Sequence, residues 1–263
     1  MKVPLPNKRM DDFQSIAKQA GAASNNYHFQ FLAHCYFLSS GLWLWCRWAL
    51  RRLLSLGTRN VLEERTSLVR RFHTYLDLLK SWGIIELEFV GFEDLSSWQG
   101  SVIAPNHPSI LDVMFLMTRI PSLDCVMNTK LLSNPITSGG ARLCDFIQND
   151  SLLRMVKTCK ERLTTGANIL IFPEGTRTTH PPLGSFHHSY ALAAKCSGAP
   201  IRTVIIECNS EYFGRRFSYF KPARCPIRFR ITEGKIFHTS PSSCTRSLSS
   251  EVEDYFRSVL GKN

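Results

Sequence analysis

The chain has 263 residues, which is long enough to bury a full hydrophobic core as one domain with an appendage. Its formal net charge is +11 at pH 7. The basic charge suits anionic partners such as phospholipid headgroups or an acidic carrier protein, and since no nucleic-acid-binding motif accompanies it, we expect no nucleic-acid partner. The nine cysteines include no Cys-x-x-Cys pair, which argues against a disulfide framework and a zinc site, so we expect no metal.

An uncharged, apolar and aromatic run covers residues 29–46, after a polar segment, 1–27, with one short predicted helix at 11–20. As a helix, the run would reach about 27 Å, just short of a bilayer core of about 30 Å. Trp48 and three arginines follow it, and such residues anchor segments at membrane interfaces. We expect a membrane segment that enters one leaflet; a full span and a buried core helix are the alternatives.

A second helix is predicted over residues 60–80, where apolar residues share one side and arginines interleave. It lies either along a membrane surface or on the core as an ordinary amphipathic helix. We therefore divide the chain into a polar N-terminal segment (1–27), a membrane-associated helical hairpin (28–80) and an α/β domain (81–263). Because arginines after the uncharged run favour the cytoplasmic side, we expect an integral or monotopic protein on the cytoplasmic face of the inner (plasma) membrane.

Strands and helices alternate through residues 81–263, which predicts an α/β fold with a central, largely parallel or mixed sheet flanked by helices. The predicted strands cover residues 83–89, 102–104, 125–127, 145–148, 168–172 and 201–207, with one or two more over 227–237. The predicted helices cover residues 109–119, 152–163, 186–196 and 250–260, with a Ser-rich loop at 239–249.

His107 lies at one of the predicted strand-to-helix junctions, and Asp112 follows five residues later. Within one helix this spacing would separate the two side chains by about 140°, since a helix has about 3.6 residues per turn. With His107 ahead of a helix that begins near Ser109, and Asp112 in its second turn, the imidazole can fold back onto the carboxylate. Asp112 would then orient His107 as a general base; a capping histidine and a surface aspartate are the alternative.

A second motif, Phe-Pro-Glu-Gly-Thr-Arg at residues 172–177, ends another predicted strand. Together with the segment from Asn106 through His107 to Asp112, it resembles the motifs of the bacterial lysophospholipid acyltransferases, typified by the 1-acylglycerol-3-phosphate O-acyltransferases. That family carries a His-x4-Asp motif and, further along the chain, a Glu-Gly-Thr-Arg motif. Two motifs in this order, each after an apolar strand, are far more specific than either alone.

The resemblance implies transfer of a fatty acyl group from a thioester to the hydroxyl of a lysolipid or another hydroxylated lipid. The thioester is acyl-CoA or an acylated acyl carrier protein, and the resemblance implies no cofactor. Arg177 suits a phosphate clamp, because a guanidinium binds phosphate oxygens in a bidentate fork. Glu174 would orient Arg177 or the acceptor, or form a structural ion pair with Arg177. By the resemblance the catalytic residues are His107 and Asp112, and the substrate-binding residues are Asn106, Lys130, Glu174, Gly175, Thr176 and Arg177.

One position departs from the family's pattern. The family's Phe-Ile-x-Arg block places an arginine near the glycerol-phosphate headgroup, whereas this chain has Asn149 and then Asp150 after Phe-Ile-Gln. The missing cation predicts weak use of lysophosphatidate, unless Arg142 or Arg154 compensates. An amino-acid-linked lipid or a polyketide-type lipid is therefore an alternative acceptor.

Two further functions remain open from the residues alone. A hydrolase of the same fold could give the acyl group to water, and a non-enzymatic basic protein could bind membrane surfaces. The second function leaves His107 and Asp112 unexplained. His180, His187 and His188 cluster without the spacing of a zinc motif, so we expect a solvated loop there.

Overall fold

The computed structural model describes residues 27–54, 60–215, 223–240, 242 and 244–261, and the helix predicted at 11–20 lies outside these ranges. Seven strands in the described ranges form a single sheet. They are β1 (Ile85–Val90), β2 (Val102–Pro105), β3 (Leu123–Met127), β4 (Ile147–Gln148), β5 (Asn168–Leu170), β6 (Ile201–Cys208) and β7 (Ile227–Phe237).

The strand order is β1-β7-β6-β2-β5-β3-β4. Neighbouring strands are parallel, except that β6 and β7 are antiparallel. The predicted fold class, an α/β fold around a largely parallel, mixed sheet, is therefore confirmed. All four residues of β2 are buried, and β2 lies between β6 and β5. The loop that carries His107 thus begins at the carboxyl end of a central strand.

Seven α-helices within the described ranges accompany the sheet. They are α1 (Tyr27–Leu53), α2 (Val61–Ser81), α3 (Asp112–Arg119), α4 (Pro135–Leu143), α5 (Leu152–Thr164), α6 (Ser189–Ser197) and α7 (Thr245–Leu260). The predicted helices are present with shifted boundaries. The largest shift is at α1, which ends seven residues beyond the uncharged run 29–46; α7 begins inside the stretch predicted to be a loop, and α4 was not predicted.

Two hydrophobic clusters cover the two faces of the sheet. Successive residues of a strand point to opposite faces, and Ile103 joins one cluster whereas Ala104 joins the other. The first cluster contains Leu79 of α2 and Phe115 of α3, and the second contains Tyr190 of α6. The sheet is therefore packed between helices on both sides, and α2 shares the core of the α/β domain.

The helix α1 packs chiefly against α4. No helix in the described part of the chain is both long enough and apolar enough to cross a membrane. The division of the chain at residue 80 and the membrane association of residues 28–80 stay predictions.

Candidate active site

His107 lies in the loop between β2 and α3 and contacts Asp112, the first residue of α3. His107 Nδ1 is 2.8 Å from Asp112 Oδ2, and the same oxygen accepts a 2.8 Å hydrogen bond from the backbone N–H of Ser109. The predicted fold-back of the imidazole is present, but the predicted helix start near Ser109 is wrong. Asp112 opens the helix instead of lying in its second turn, and the turn ahead of it returns the histidine ring to the carboxylate.

The surroundings of His107 determine how its ring can act. When Nδ1–H donates to Asp112, Nε2 is the ring nitrogen left to accept a proton. The ring stacks on Phe172, with centroids 3.7 Å apart and planes at 19°. The His107 side chain is 14% exposed, whereas Asp112 is fully buried. The imidazole is thus held by a carboxylate and an aromatic face, and part of it remains accessible.

Burial raises the pKa of Asp112 above the ordinary carboxyl value, because the carboxylate has lost its water. The hydrogen bond and charge of His107 and the N–H of Ser109 oppose this shift, and the negative charge of Glu174 adds to it. Among the described residues, Asp112 Oδ1 is buried without a hydrogen-bond partner. The contact with His107 is therefore one of the interactions that offset the cost of burying the carboxylate.

Glu174 holds the loop of His107 in place. Its Oε1 accepts hydrogen bonds from the backbone N–H of His107 (3.0 Å) and from the hydroxyl of Thr178 (2.9 Å), and its Oε2 accepts one from the backbone N–H of Gly184 (2.9 Å). The side chain is buried, and an added Cβ at Gly184 would lie 2.6 Å from Oε2. Both carboxylate oxygens of Glu174 are thus used to hold the loops of His107 and Gly184, and its role in binding the acceptor stays a prediction.

Asn106 has a similar place in the structure. Its side-chain amide donates a 2.8 Å hydrogen bond to the carbonyl of Ile206, and its side-chain oxygen accepts a 2.7 Å hydrogen bond from the N–H of the same residue. The side chain is buried. Asn106 therefore links the end of β2 to β6 next to His107, and its expected role in substrate binding stays a prediction.

His107 opens onto a cavity of about 1050 Å³, and four of the predicted substrate-binding residues, Lys130, Gly175, Thr176 and Arg177, line the same cavity. Helices α1, α2 and α4 supply much of the remaining wall, which is mainly apolar. Large side chains on this wall include Tyr36, Phe37, Leu44, Leu68, Phe72 and Ile136. Apolar walls of this kind suit a hydrocarbon chain. The motifs alone did not indicate that these helices would form it.

The loop after β5 requires glycine at position 175. Gly175 has φ +66°, in the left-handed region that strains other residues, and an added Cβ would lie 3.0 Å from His187 Cδ2. His187 and His188 are exposed, as the predicted solvated loop requires, but both also line the cavity. Within the described residues, no group of three or more His, Cys, Asp or Glu could hold a metal ion.

The fold and the site together define a class of protein. His107, paired with the buried Asp112, lies on the wall of a large and mainly apolar cavity that also carries Lys130 and Arg177. Such a site suits a substrate with a long apolar chain, an anionic group and a hydroxyl that loses its proton.

Sequence comparison shows which known proteins this chain resembles. Residues 86–207 match the model of the family described as Acyltransferase. The chain is 30% identical over 150 residues to the 1-acyl-sn-glycerol-3-phosphate acyltransferase LPAT1, chloroplastic, of Arabidopsis thaliana. This match covers 52% of this chain and 42% of that protein. It is 32% identical over 99 residues to the 1-acyl-sn-glycerol-3-phosphate acyltransferase of Helicobacter pylori, which covers 35% of this chain and 40% of that protein.

The resemblance drawn from the two motifs is thereby confirmed, although the chain matches less than half the length of each of these relatives. Among solved structures, the 1-acyl-sn-glycerophosphate (LPA) acyltransferase PlsC from Thermotoga maritima is similar in fold. Its TM-score is 0.63 at 19% sequence identity, and the match covers 89% of this chain and 92% of that one.

Proposed function

We propose that this chain is a membrane-associated O-acyltransferase that moves a fatty acyl group from a thioester to the hydroxyl of a lysolipid. The donor is acyl-CoA or an acylated carrier protein. The observation that carries the proposal is the His107–Asp112 pair, with Nδ1 and Oδ2 2.8 Å apart, whose histidine lies on the wall of a mainly apolar cavity. The names of the matching relatives support an acceptor of the 1-acylglycerol-3-phosphate type.

In the proposed reaction, Nε2 of His107 removes the proton of the acceptor hydroxyl as its oxygen attacks the thioester carbonyl carbon. The new C–O bond forms, the C–S bond breaks, and the leaving thiolate takes the proton from the imidazolium, so the products are an ester and a thiol. Asp112 stabilises the charged imidazole during this exchange. Lys130 and Arg177 would hold the phosphate of the acceptor in the same cavity.

We further propose that α1 attaches the protein to the cytoplasmic leaflet without crossing the bilayer. Its exposed surface carries large apolar residues, among them Leu53 at 79% exposure and Phe31 at 59%. Arg51 and Arg52 lie in its last turn, where they can meet anionic headgroups. These features support a monotopic attachment.

The proposed base is tested by His107→Ala in the purified full-length protein, with labelled acyl-CoA and a lysolipid. Loss of a positioned general base should lower the rate of acyl transfer by about 10²–10⁴-fold. His238→Ala, which removes an exposed histidine after β7, is the matched control and should transfer at the wild-type rate. A folded His107→Ala protein with near wild-type transfer would rule out the base, and release of free fatty acid independent of acceptor would indicate a hydrolase instead.

A further inference from the structure

The cavity lacks a cation at position 149, because Asn149 lines it where the family's pattern has arginine. The two arginines that could compensate are engaged elsewhere. Arg154 forms an exposed ion pair with Asp150, and the guanidinium carbon of Arg142 is 4.7 Å from the ring centroid of Trp48. Neither arginine is among the described residues that line the cavity.

Arg215 brings a cation to this cavity from a distant part of the sequence. It lies beyond the end of β6, and it lines the cavity together with His107 and Lys130. Its Nη1 donates a 3.2 Å hydrogen bond to the hydroxyl of Thr176, the residue before Arg177. The contact places Arg215 beside the Glu-Gly-Thr-Arg segment.

The residues before Arg215 are braced by the active-site loops. The carbonyl of Phe213 accepts a 2.9 Å hydrogen bond from the N–H of Ile110, in the turn after His107. The carbonyl of Gly214 accepts a 2.6 Å hydrogen bond from Arg177 Nη1. Arg177 is therefore anchored to the residue next to Arg215, and the two guanidinium groups are positioned by the same segment.

Most of the hydrogen-bonding capacity of Arg215 is available to a ligand. The side chain is exposed, and within the described residues its side-chain hydrogen bond is to a neutral hydroxyl and not to a carboxylate. A guanidinium carries five N–H donors, whose planar arrangement matches the oxygens of a phosphate. Such a group beside Arg177 suits an anion with more than one negative charge.

We propose that Arg215 replaces the cation missing at position 149 and, with Lys130 and Arg177, binds the phosphomonoester of the acceptor. This inference rests on the proposed function and deepens it, because it names the acceptor class. Lysophosphatidate carries close to two negative charges at neutral pH, since the second pKa of a phosphomonoester is about 6. Arg71 also lines the cavity, with its guanidinium carbon 4.0 Å from the ring centroid of Trp43. With the three cations of the proposed site, lysophosphatidate is a matched acceptor, which revises the weak use expected from Asn149 alone.

The test is Arg215→Gln in the full-length protein, assayed with acyl-CoA and lysophosphatidate. Separate binding measurements compare lysophosphatidate with monoacylglycerol. The monoacylglycerol carries the same acyl chain but lacks the phosphate. We expect the KM and the dissociation constant for lysophosphatidate to rise about 10-fold, as for one lost charged hydrogen bond at an exposed position. The dissociation constant for monoacylglycerol and kcat should change little. Arg154→Gln, which removes an exposed arginine outside the cavity, is the matched control and should alter neither acceptor. Adding Asn149→Arg to Arg215→Gln should restore the lower KM.

Three outcomes would count against a part of this scheme. Unchanged KM and dissociation constant for lysophosphatidate in Arg215→Gln overturn the assignment and leave the acyltransferase activity intact. An equal loss of affinity for both lipids overturns it too, since a phosphate-binding residue must distinguish them. If the wild-type protein transfers no acyl group, yet Arg215→Gln still weakens lysophosphatidate binding alone, the proposed reaction fails and the phosphate site stands.

Discussion

At the scale of single residues, Asp112 is a carboxylate placed where it is costly. Burial of a charged group without full compensation destabilises a fold, and Oδ1 of Asp112 finds no hydrogen-bond partner in the described part of the chain. The same burial strengthens the attraction between Asp112 and a positively charged His107, because little water screens the pair. Asp112 thus lowers stability at the place where it supports the proposed proton transfer.

Asp112→Asn should therefore raise stability at neutral pH while it lowers activity. The pKa of Asp112 is raised in the folded protein, so folding favours its protonated form. The stabilisation from this form is fully present at pH values below the ordinary carboxyl pKa of about 4. It is lost as pH rises through the pKa of Asp112 in the folded state. Asparagine does not titrate. The free energy of unfolding of the variant, relative to wild type, should increase as pH rises above about 4.

Urea unfolding at a series of pH values measures this difference, and a constant difference across the series would contradict it. The activity of Asp112→Asn should fall by about 10²–10⁴-fold, the range associated with loss of a correctly oriented base.

The residues of the site could be predicted from the sequence to different degrees. The contact of His107 with Asp112 follows from a short spacing across a strand-to-helix junction, which is a local property. The hydrogen bonds of Glu174 to the backbones of His107 and Gly184 join separate loops, so no spacing indicates them. The contact of Arg215 with Thr176 likewise depends on how the chain folds, since the two residues are 39 positions apart.

At the scale of elements, α4 is the helix that sequence patterns missed, and α1 packs against it. The side chain of Asn134 accepts a 2.9 Å hydrogen bond from the N–H of Ile136, and Pro135 occupies the first turn, both of which are features of a helix start. The same Asn-Pro pair also occurs at chain breaks, and Gly139 and Gly140 each disfavour a helix by about 1 kcal/mol. Contact with α1 outweighs this low propensity.

Gly139→Ala tests how closely the two helices approach. An added Cβ would lie 2.3 Å from the backbone nitrogen of Trp45 in α1, so the helices must move apart. We expect the free energy of unfolding to fall by about 1–3 kcal/mol, the usual cost of overpacking. Acyl transfer should fall as well, because Leu44 of α1 lines the cavity.

Gly140→Ala is the matched control in the same helix. Its added Cβ would lie 3.5 Å from methyl carbons of Leu44 and Leu68, which is ordinary contact, and alanine favours a helix over glycine. Its melting temperature should equal or slightly exceed that of the wild type. Equal melting temperatures for the two variants would show that α1 and α4 do not meet at Gly139.

The strands and most helices were predictable because each buries a local apolar pattern, but the sheet order was not. β7 lies between β1, to which it is parallel, and β6, to which it is antiparallel, and these pairings depend on contacts remote in sequence. The early start of α7 has a similar cause. Leu248 and Val252 are buried against the core, which overrides the weak helix propensity of the serines around them.

At the scale of the whole molecule, exposed apolar residues are unevenly distributed. Within the described ranges, the large exposed apolar side chains lie along α1 and just beyond its end, at Leu62 of α2, and at Leu131, Leu152 and Leu153. Leu131 and Leu152 also line the cavity. Combined with a net charge of +11, this distribution suits a protein that rests on an anionic bilayer and binds lipids beside it.

Three residues of α1 form a stripe along one side of the helix. Phe31, Leu42 and Leu53 recur every 11 residues, which is close to three complete turns, so they lie on the same face. They are 59%, 47% and 79% exposed. A lipid surface that covered this stripe would remove apolar area from water along nearly the full length of the helix, which makes the stripe the element to test.

Replacement of Phe31, Leu42 and Leu53 by serine should weaken binding to vesicles that contain anionic phospholipid by about 100-fold, at roughly 1 kcal/mol for each partly exposed side chain. Because these side chains contribute little to the core, the melting temperature in detergent should stay near that of the wild type.

Vesicle sedimentation at low and high salt separates the two contributions, since salt screens the attraction of the basic surface but leaves apolar burial in place. The wild-type protein should therefore remain bound at high salt and the variant should be released. If the variant sediments as completely as the wild type at high salt, the face of α1 that carries these residues is not the surface that meets the membrane.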